Sequence, residues 1–347
     1  MDCPLSGGHR IVTAAITEVR RAVRESLVDV PADAPVIVAC SGGADSLALA
    51  AAVAWVAEAD QRLAGAVVVD HALVSGSAVV AARAAAQCEA LGLLPVAVRR
   101  VDATARPGGA GPEGAARDAR RAALLDEAAA QSAAAILLGH TLDDQAETVL
   151  LGLARGSGAR SLSGMAAVAG PFRRPLLAVT RSVVRQSVVD LGLQATEDPQ
   201  NRDPHFARVR VRETVLPMLE QQLGPGIAQA LARSAQLLRA DADVIHSLAH
   251  AAISDLGTEP QIEALRELPE GVRTRVLRHL AIAAGCQADA LSRDHVTLID
   301  RLVCDPRVKG PIDLPSGNAA HRAYGRLVIE PRSTHSNAER LPNSKES

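Results

Sequence analysis

The sequence predicts an α/β protein: a parallel sheet with helices on both faces, followed by a smaller, mostly helical domain that ends in a short β piece. Three observations predict it. In the first half, short apolar runs alternate with longer stretches of helical period, and that order argues for right-handed crossovers on a parallel sheet. Past Pro217 the pattern is helical only. After Gly310 it changes to strand-like runs around a Ser316-Gly317-Asn318 turn.

An amphipathic helix is expected over residues 9–28. The first strand is Val36-Ile37-Val38-Ala39, followed by a helix over 46–59, a strand over 64–69, a helix over 78–91 and a strand over 95–98. The Gly- and Pro-rich interval 106–112 reads as a mobile surface loop before a helix that starts near Glu113. Ala135 to Leu138 is the fourth strand, and another helix begins just beyond it. Gly224-Pro225-Gly226 breaks the chain before helices over 227–256, 270–284 and 292–303. Ile312-Asp313-Leu314 and Arg326 to Glu330 then form a terminal hairpin. The domains expected are 1–218, 219–331 and a disordered polar tail over 332–347.

The bulk numbers agree with this division. The 347 residues, 48% hydrophobic and 22% charged, suit two domains of ordinary size. The longest uninterrupted apolar run, Leu47 to Ala57, falls short of the roughly 18 residues that a bilayer span needs. The N-terminus has neither a basic start nor an apolar signal core, and the five scattered cysteines form no Cys-x-x-Cys pair, so a reducing cytoplasm is the expected location. A net charge of −2 conceals an uneven distribution: residues 155–212 hold ten arginines against four acids. Such a stretch suits a polyanion, or simply a solvated surface.

Directly after the first strand stands Ser41-Gly42-Gly43-Ala44-Asp45-Ser46, leading into an apolar helix. Adjacent glycines let a ligand approach the backbone and aim successive N–H groups into a concavity, to which the serine hydroxyls and the helix N-terminus add. A phosphate or pyrophosphate fits there. The plainer alternative is a strand-to-helix turn with Asp45 or Ser46 serving only as N-cap. No Gly-x-x-x-x-Gly-Lys-[Ser/Thr] occurs in the chain, so no loop lysine grips terminal phosphates.

Two more strand ends carry chemistry. The second strand leads into Asp70-His71, and the fourth into Gly139-His140-Thr141-Leu142-Asp143-Asp144-Gln145-Ala146-Glu147, both at the carboxyl edge where ligands of such sheets bind. Asp144 and Glu147 are three apart on one helix and share a face. They could hold an ammonium group or Mg²⁺; equally, Thr141 with Asp143 and Asp144 could cap the helix.

The hexapeptide resembles the PP-loop of the N-type ATP pyrophosphatases, which transfer AMP to a substrate oxygen. The wider order of motifs resembles the tRNA(Ile)-lysidine synthetases from about residue 35 to about 330. It rests on Val69-Asp70-His71-Ala72-Leu73, Ala116-Arg117-Asp118-Ala119-Arg120, the stretch from His140 to Gly164, Arg174-Pro175-Leu176-Leu177, residues 197–203 and Arg208-Val209-Arg210-Val211-Arg212. That family adenylates C2 of the wobble cytidine of a CAU-bearing isoleucine tRNA and lets free lysine displace AMP. The resemblance implies ATP and Mg²⁺, with Ser41, Gly42, Gly43, Ala44, Asp45 and Ser46 around the pyrophosphate and Asp45 on the metal. Asp70, His71 and His140 would line the nucleotide site, and Arg117 or Arg120 would neutralise phosphates. Asp144 and Glu147 would meet lysine; Arg174, Arg208, Arg210 and Arg212 would contact tRNA. A homodimer is the expected assembly and a membrane is not an expected partner.

The chain departs from the family where the latter often carries a His pair in place of Gly139-His140, and it reads as the shorter form without a larger extra C-terminal domain. Two other readings of the loop stand beside this one. A PP-loop enzyme that adds sulfur needs cysteine pairs that this chain lacks. A non-catalytic nucleotide-binding module would bind ATP without releasing pyrophosphate.

Overall fold

The computed structural model describes residues 12–70, 76–101, 111–156, 158–196 and 203–332. The chain opens with α1 (Ala14–Ser26), capped by the Thr13 side chain, and β1 (Val36–Ala39). There follow α2 (Ala44–Asp60), β2 (Ala64–Asp70), α3 (Ser77–Ala90), β3 (Val96–Arg100), α4 (Gly111–Ala130) and β4 (Ala135–Leu137). The order in the sheet is β3-β2-β1-β4, all parallel. It is extended by the short strands β5 (Val168–Ala169) and β6 (Phe172–Arg173), with β6 parallel to β4 and β5 antiparallel to β6.

Strand alternation assigns the two faces. Val36 and Val38 of β1, Ala64, Ala66 and Val68 of β2, and Ala135 and Leu137 of β4 pack into one core with α1, α2 and α3. Their neighbours Ile37, Ala39, Val67 and Ile136 point the other way, against Leu124 and Ala128 of α4 and Phe172. A period of two with both faces covered is why these runs are continuously apolar. The strand on the edge differs: β3 runs on through Arg99 and Arg100, beyond the expected end at residue 98, because an edge strand tolerates polar side chains.

From β1 the chain winds outward to β2 and β3, then returns beneath the sheet through α4 to β4 on the other side of β1. The order therefore reverses between β1 and β4, and the crevice at their carboxyl ends is the switch point where such folds bind ligands.

Beyond β4 come α5 (Leu142–Ala154) and α6 (Ala159–Leu162), ahead of β5 and β6. After the sheet stand α7 (Arg181–Asp190), α8 (Ala207–Arg210), a π-helical turn over Val211–Val215, and α9 (Leu216–Leu223). The long α10 (Ile227–Leu256) follows. The two compact units divide at Arg239/Ala240, within α10, whereas the sequence reading set the boundary at 218/219. The Gly224-Pro225-Gly226 break ends a helix without separating the packed bodies.

The second unit holds α11 (Ile262–Glu267), α12 (Glu270–Ala283), α13 (Arg293–Cys304) and three strands, β7 (Ile312–Leu314), β8 (Asn318–Ala323) and β9 (Arg326–Pro331). Leu265, Val276, Leu277, Ile299, Leu302, Ala320 and Leu327 form its core. The terminal β piece is thus a three-stranded antiparallel sheet and not the expected hairpin. The middle strand, Asn-Ala-Ala-His-Arg-Ala, lacks β-branched residues and gives no strand signal of its own. Tyr324 and Gly325, both left-handed at φ 50° and 76°, make the tight turn into β9. The expected loop at 106–112 lies largely outside the described residues, although α4 already begins at Gly111; the tail lies outside from residue 333 on. Among the described residues no helix is long and apolar enough to cross a membrane.

Candidate active site

The loop after β1 is held closed by one hydroxyl. Ser46 Oγ donates to the Gly43 carbonyl at 2.9 Å, accepts from the Ser41 amide at 3.1 Å, and lies 3.3 Å from Ser41 Oγ. Gly42 adopts φ +81°, and a Cβ there would meet Ala84 Cβ of α3 at 3.2 Å. The N-cap of α2 is Gly43, with no side-chain cap. The reading of Asp45 or Ser46 as a mere N-cap therefore fails. Ser46 ties the loop, and the first amides of α2 are left without a side-chain acceptor, as an anion site requires.

Gly139 brings the end of β4 onto this loop. A Cβ at that position would stand 3.0 Å from the Asp45 carbonyl oxygen and 3.2 Å from Ser46 Cα. A side chain at position 139 would require the backbone at the N-terminus of α2 to give by a few tenths of an ångström.

The helix that follows, α5, serves both readings of its acids. Thr141 and Asp144 form a capping box, with the Thr141 amide donating to Asp144 Oδ2 at 2.8 Å. The other oxygen, Asp144 Oδ1, faces arginines together with Glu147, which is fully buried. Arg181 Nη2 donates to Asp144 Oδ1 and to Glu147 Oε1, both at 3.0 Å. Arg208 Nε donates to Glu147 Oε2 at 2.7 Å, and Arg212 Nε to Glu147 Oε1 at 2.8 Å. Three guanidiniums thus surround two carboxylates. Burial alone would raise both acids, but the charges of Arg181 and Arg208 hold Asp144 below the usual carboxylate range, and Arg212 with Arg181 does the same for Glu147.

Asp45 is the opposite case. Its Oδ1 is buried without a hydrogen-bond partner, and its Oδ2 is 3.9 Å from Arg181 Nε. Burial, then the charge of Asp144, pushes its pKa up to about 6. A carboxylate with one buried oxygen left unpartnered, and its arginine neighbour only at 3.9 Å, has a lone pair to offer a cation. Mg²⁺ is ordinarily held by one or two carboxylates plus substrate phosphates, so the residues fit that metal. Among the described residues no cluster of three His, Cys, Asp or Glu side chains suits a metal held by the protein alone.

His140 is kept neutral: burial, with Arg174, Arg208 and Arg120 outweighing Asp144, pushes its pKa down to about 4. Its Nδ1 is buried without a partner. Asp70 ends β2 in a buried position, while His71 lies outside the described residues. Arg120 and Arg117 sit on α4 and make no hydrogen bond or ion pair among the described residues; burial and the neighbouring Arg117 lower the Arg120 pKa.

Of the arginines expected to touch tRNA, Arg208 and Arg212 lie on the carboxylate pair. Arg210 points elsewhere and donates to the Pro204 and His205 carbonyls. Arg174 is 9% exposed and donates to the Ala166 carbonyl at 2.8 Å. Sequence reasoning missed Arg181. It is one of ten arginines in its stretch, and only the packing of the α7 N-terminus beside α5 singles it out: its amide also donates to Asp143 Oδ2 at 2.7 Å.

Residues 15–219 match the PP-loop domain and residues 261–328 match the TilS substrate binding domain. The chain is 50% identical over 314 residues to a tRNA(Ile)-lysidine synthase of Thermobifida fusca (strain YX), covering 90% of this chain and 96% of that one. It is also 50% identical over 300 residues to one of Streptomyces coelicolor (strain ATCC BAA-471 / A3(2) / M145), covering 85% and 84%. Among solved structures, the U34-tRNA thiolase NcsA from Methanococcus maripaludis, with its [4Fe-4S] cluster, is similar in fold, with a TM-score of 0.53 and 21% identity over 65% of this chain and 79% of that one. That likeness concerns the fold alone.

Proposed function

The chain belongs to the tRNA(Ile)-lysidine synthase family, and from that premise we propose that it joins lysine to C2 of the wobble cytidine of a CAU-bearing isoleucine tRNA at the expense of ATP. The observation that carries the proposal is the meeting of the Ser41–Ser46 loop with the Asp144/Glu147 pair across the β1/β4 switch point, bridged by Arg181.

In the first step the C2 oxygen of cytidine attacks the α-phosphorus of ATP and pyrophosphate leaves. The N-terminus of α2, whose Gly43 N-cap supplies no side-chain acceptor, would receive the pyrophosphate. Asp45 would hold Mg²⁺, which supplies charge neutralisation at the phosphates when bound. Arg117 and Arg120 lack carboxylate partners among the described residues and suit the same anionic charge. Neutral His140 offers a hydrogen bond and no added cation.

In the second step the lysine ε-amine attacks C2 and AMP leaves with the bonding electrons. Asp144 and Glu147 already hold guanidiniums, and an ammonium has the same charge and donor character. Kept ionised, they can place that group and accept its proton.

The two steps separate experimentally. Incubation of the protein with α-labelled ATP, Mg²⁺ and the tRNA, with lysine omitted, should put AMP label on the tRNA and release an equal amount of pyrophosphate. Adding lysine should remove the label as AMP. ATP binding with no pyrophosphate release would refute the proposal and favour a non-catalytic nucleotide-binding module.

A further inference from the structure

A second set of arginines lies beside the site and takes no part in the carboxylate cluster. Arg121 on α4 stacks over Phe172, its Cζ 4.3 Å from the ring centroid. Arg174, just after β6, donates through Nη1 to the Ala166 carbonyl. Arg239 donates through Nη2 to the Ser163 and Gly164 carbonyls, at 3.0 and 2.7 Å. Arg117 stands close enough, with Arg121 and Arg239, to lower the pKa of Arg174, though burial does most of that. None of the four is ion-paired to a carboxylate among the described residues.

A purely structural role accounts for one nitrogen on each of two side chains. Arg174 and Arg239 strap the 163–166 segment, which Gln145 also grips through the Met165 amide and carbonyl. Carbonyl straps leave the charge uncompensated, however, and cations placed side by side repel one another. Among the described residues Arg174 Nη2 and Arg239 Nη1 make no hydrogen bond, and neither is a fully buried atom. The cluster sits on the β6 side of β4, and the charge of Arg174 is felt at His140.

We propose that Arg121, Arg174 and Arg239 form a phosphodiester seat, separate from the Ser41–Ser46 loop, that grips the tRNA backbone next to the target cytidine. The seat rests on the functional reading above. Its chemistry, guanidinium to phosphate oxygen, would also suit the triphosphate of ATP; its anchoring on Phe172 and on the 163–166 segment, and not on the glycine loop, assigns it to the RNA.

The test uses the full chain with Arg121→Gln and Arg239→Gln, titrated separately with tRNA(Ile) transcript and with ATP over a range of salt concentrations. Arg121 straps no backbone, so its variant does not disturb the 163–166 segment. Each variant should bind tRNA about tenfold more weakly, with the log–log salt slope reduced by about one, while ATP affinity stays unchanged. Arg121→Lys, which keeps the charge, should restore most of the tRNA affinity. Weaker ATP binding with unchanged tRNA affinity would overturn the seat and give the cluster to the triphosphate. Unchanged affinity for both would overturn it and leave the arginines as straps. Wild-type protein without affinity for the tRNA would overturn the functional reading as well, whereas wild-type binding matched by both variants overturns the seat alone.

Discussion

Replacing Glu147 by Gln keeps the shape of the side chain and removes the charge that three arginines share. In the native arrangement Glu147 is fully buried, and Arg181, Arg208 and Arg212 approach it at 2.7 to 3.0 Å. Losing one partner of a buried pair costs about 3–5 kcal/mol, because the remaining charge stays desolvated. The arginine side chains are 11%, 36% and 22% exposed, so water takes up part of the loss and the lower end, about 3 kcal/mol, applies. For a domain of this size that is a fall in Tm of roughly 6–12 °C. Differential scanning calorimetry of both proteins reads it. Glu25→Gln provides the scale, since the Arg21–Glu25 pair is 60% and 61% exposed and should cost under about 0.5 kcal/mol. The carboxyl of Glu147 is held below its ordinary value of 4.5, so its contribution is present above that pH and lost as pH falls through the lower folded value. The gap between wild type and variant should therefore close on acidification. A Glu147→Gln melt as mild as that of Glu25→Gln, or a gap that ignores pH, would refute the reasoning.

Asp45→Asn should act in the other direction on stability. The folded pKa of about 6 lies above the unfolded 3.8, so ionised Asp45 destabilises the free protein above pH 6, and the penalty fades as pH falls from 6 towards 3.8. The variant should melt higher than wild type at pH 7.5, with the difference shrinking by pH 4.5, and should release no pyrophosphate; a lower melting point at pH 7.5 would contradict the orphaned-carboxylate account. Gly139→Ala places a methyl against the backbone of Asp45 and Ser46 and should weaken ATP binding by about tenfold or more, as a forced backbone shift of this kind costs about 1–3 kcal/mol. Calorimetric titration with ATP that matched wild type would show that the close approach has no role in the loop.

The sheet was legible where both faces are covered: β1, β2 and β4 are unbroken apolar runs, and the glycine loop announces itself directly after β1. The carboxylate pair was legible from its helical spacing. Arg181 was not, because its partners Asp144 and Glu147 are more than thirty residues away and no local pattern separates it from nine other arginines in its stretch. Arg210 is placed differently from its neighbours. It shares a motif with Arg208 and Arg212, but a helical backbone turns successive side chains by about 100° each, so it faces carbonyls at the start of α8 while its neighbours reach Glu147. The middle strand β8 was hidden by its composition.

Whether this chain makes lysidine is read in one incubation of the protein with ATP, Mg²⁺, radiolabelled lysine and an isoleucine tRNA transcript with a CAU anticodon. Acid-stable lysine label on that tRNA, absent from a methionine tRNA control and absent with Asp45→Asn, is the predicted result. Pyrophosphate release that depends on another acceptor, with no lysine label on the tRNA, would contradict it.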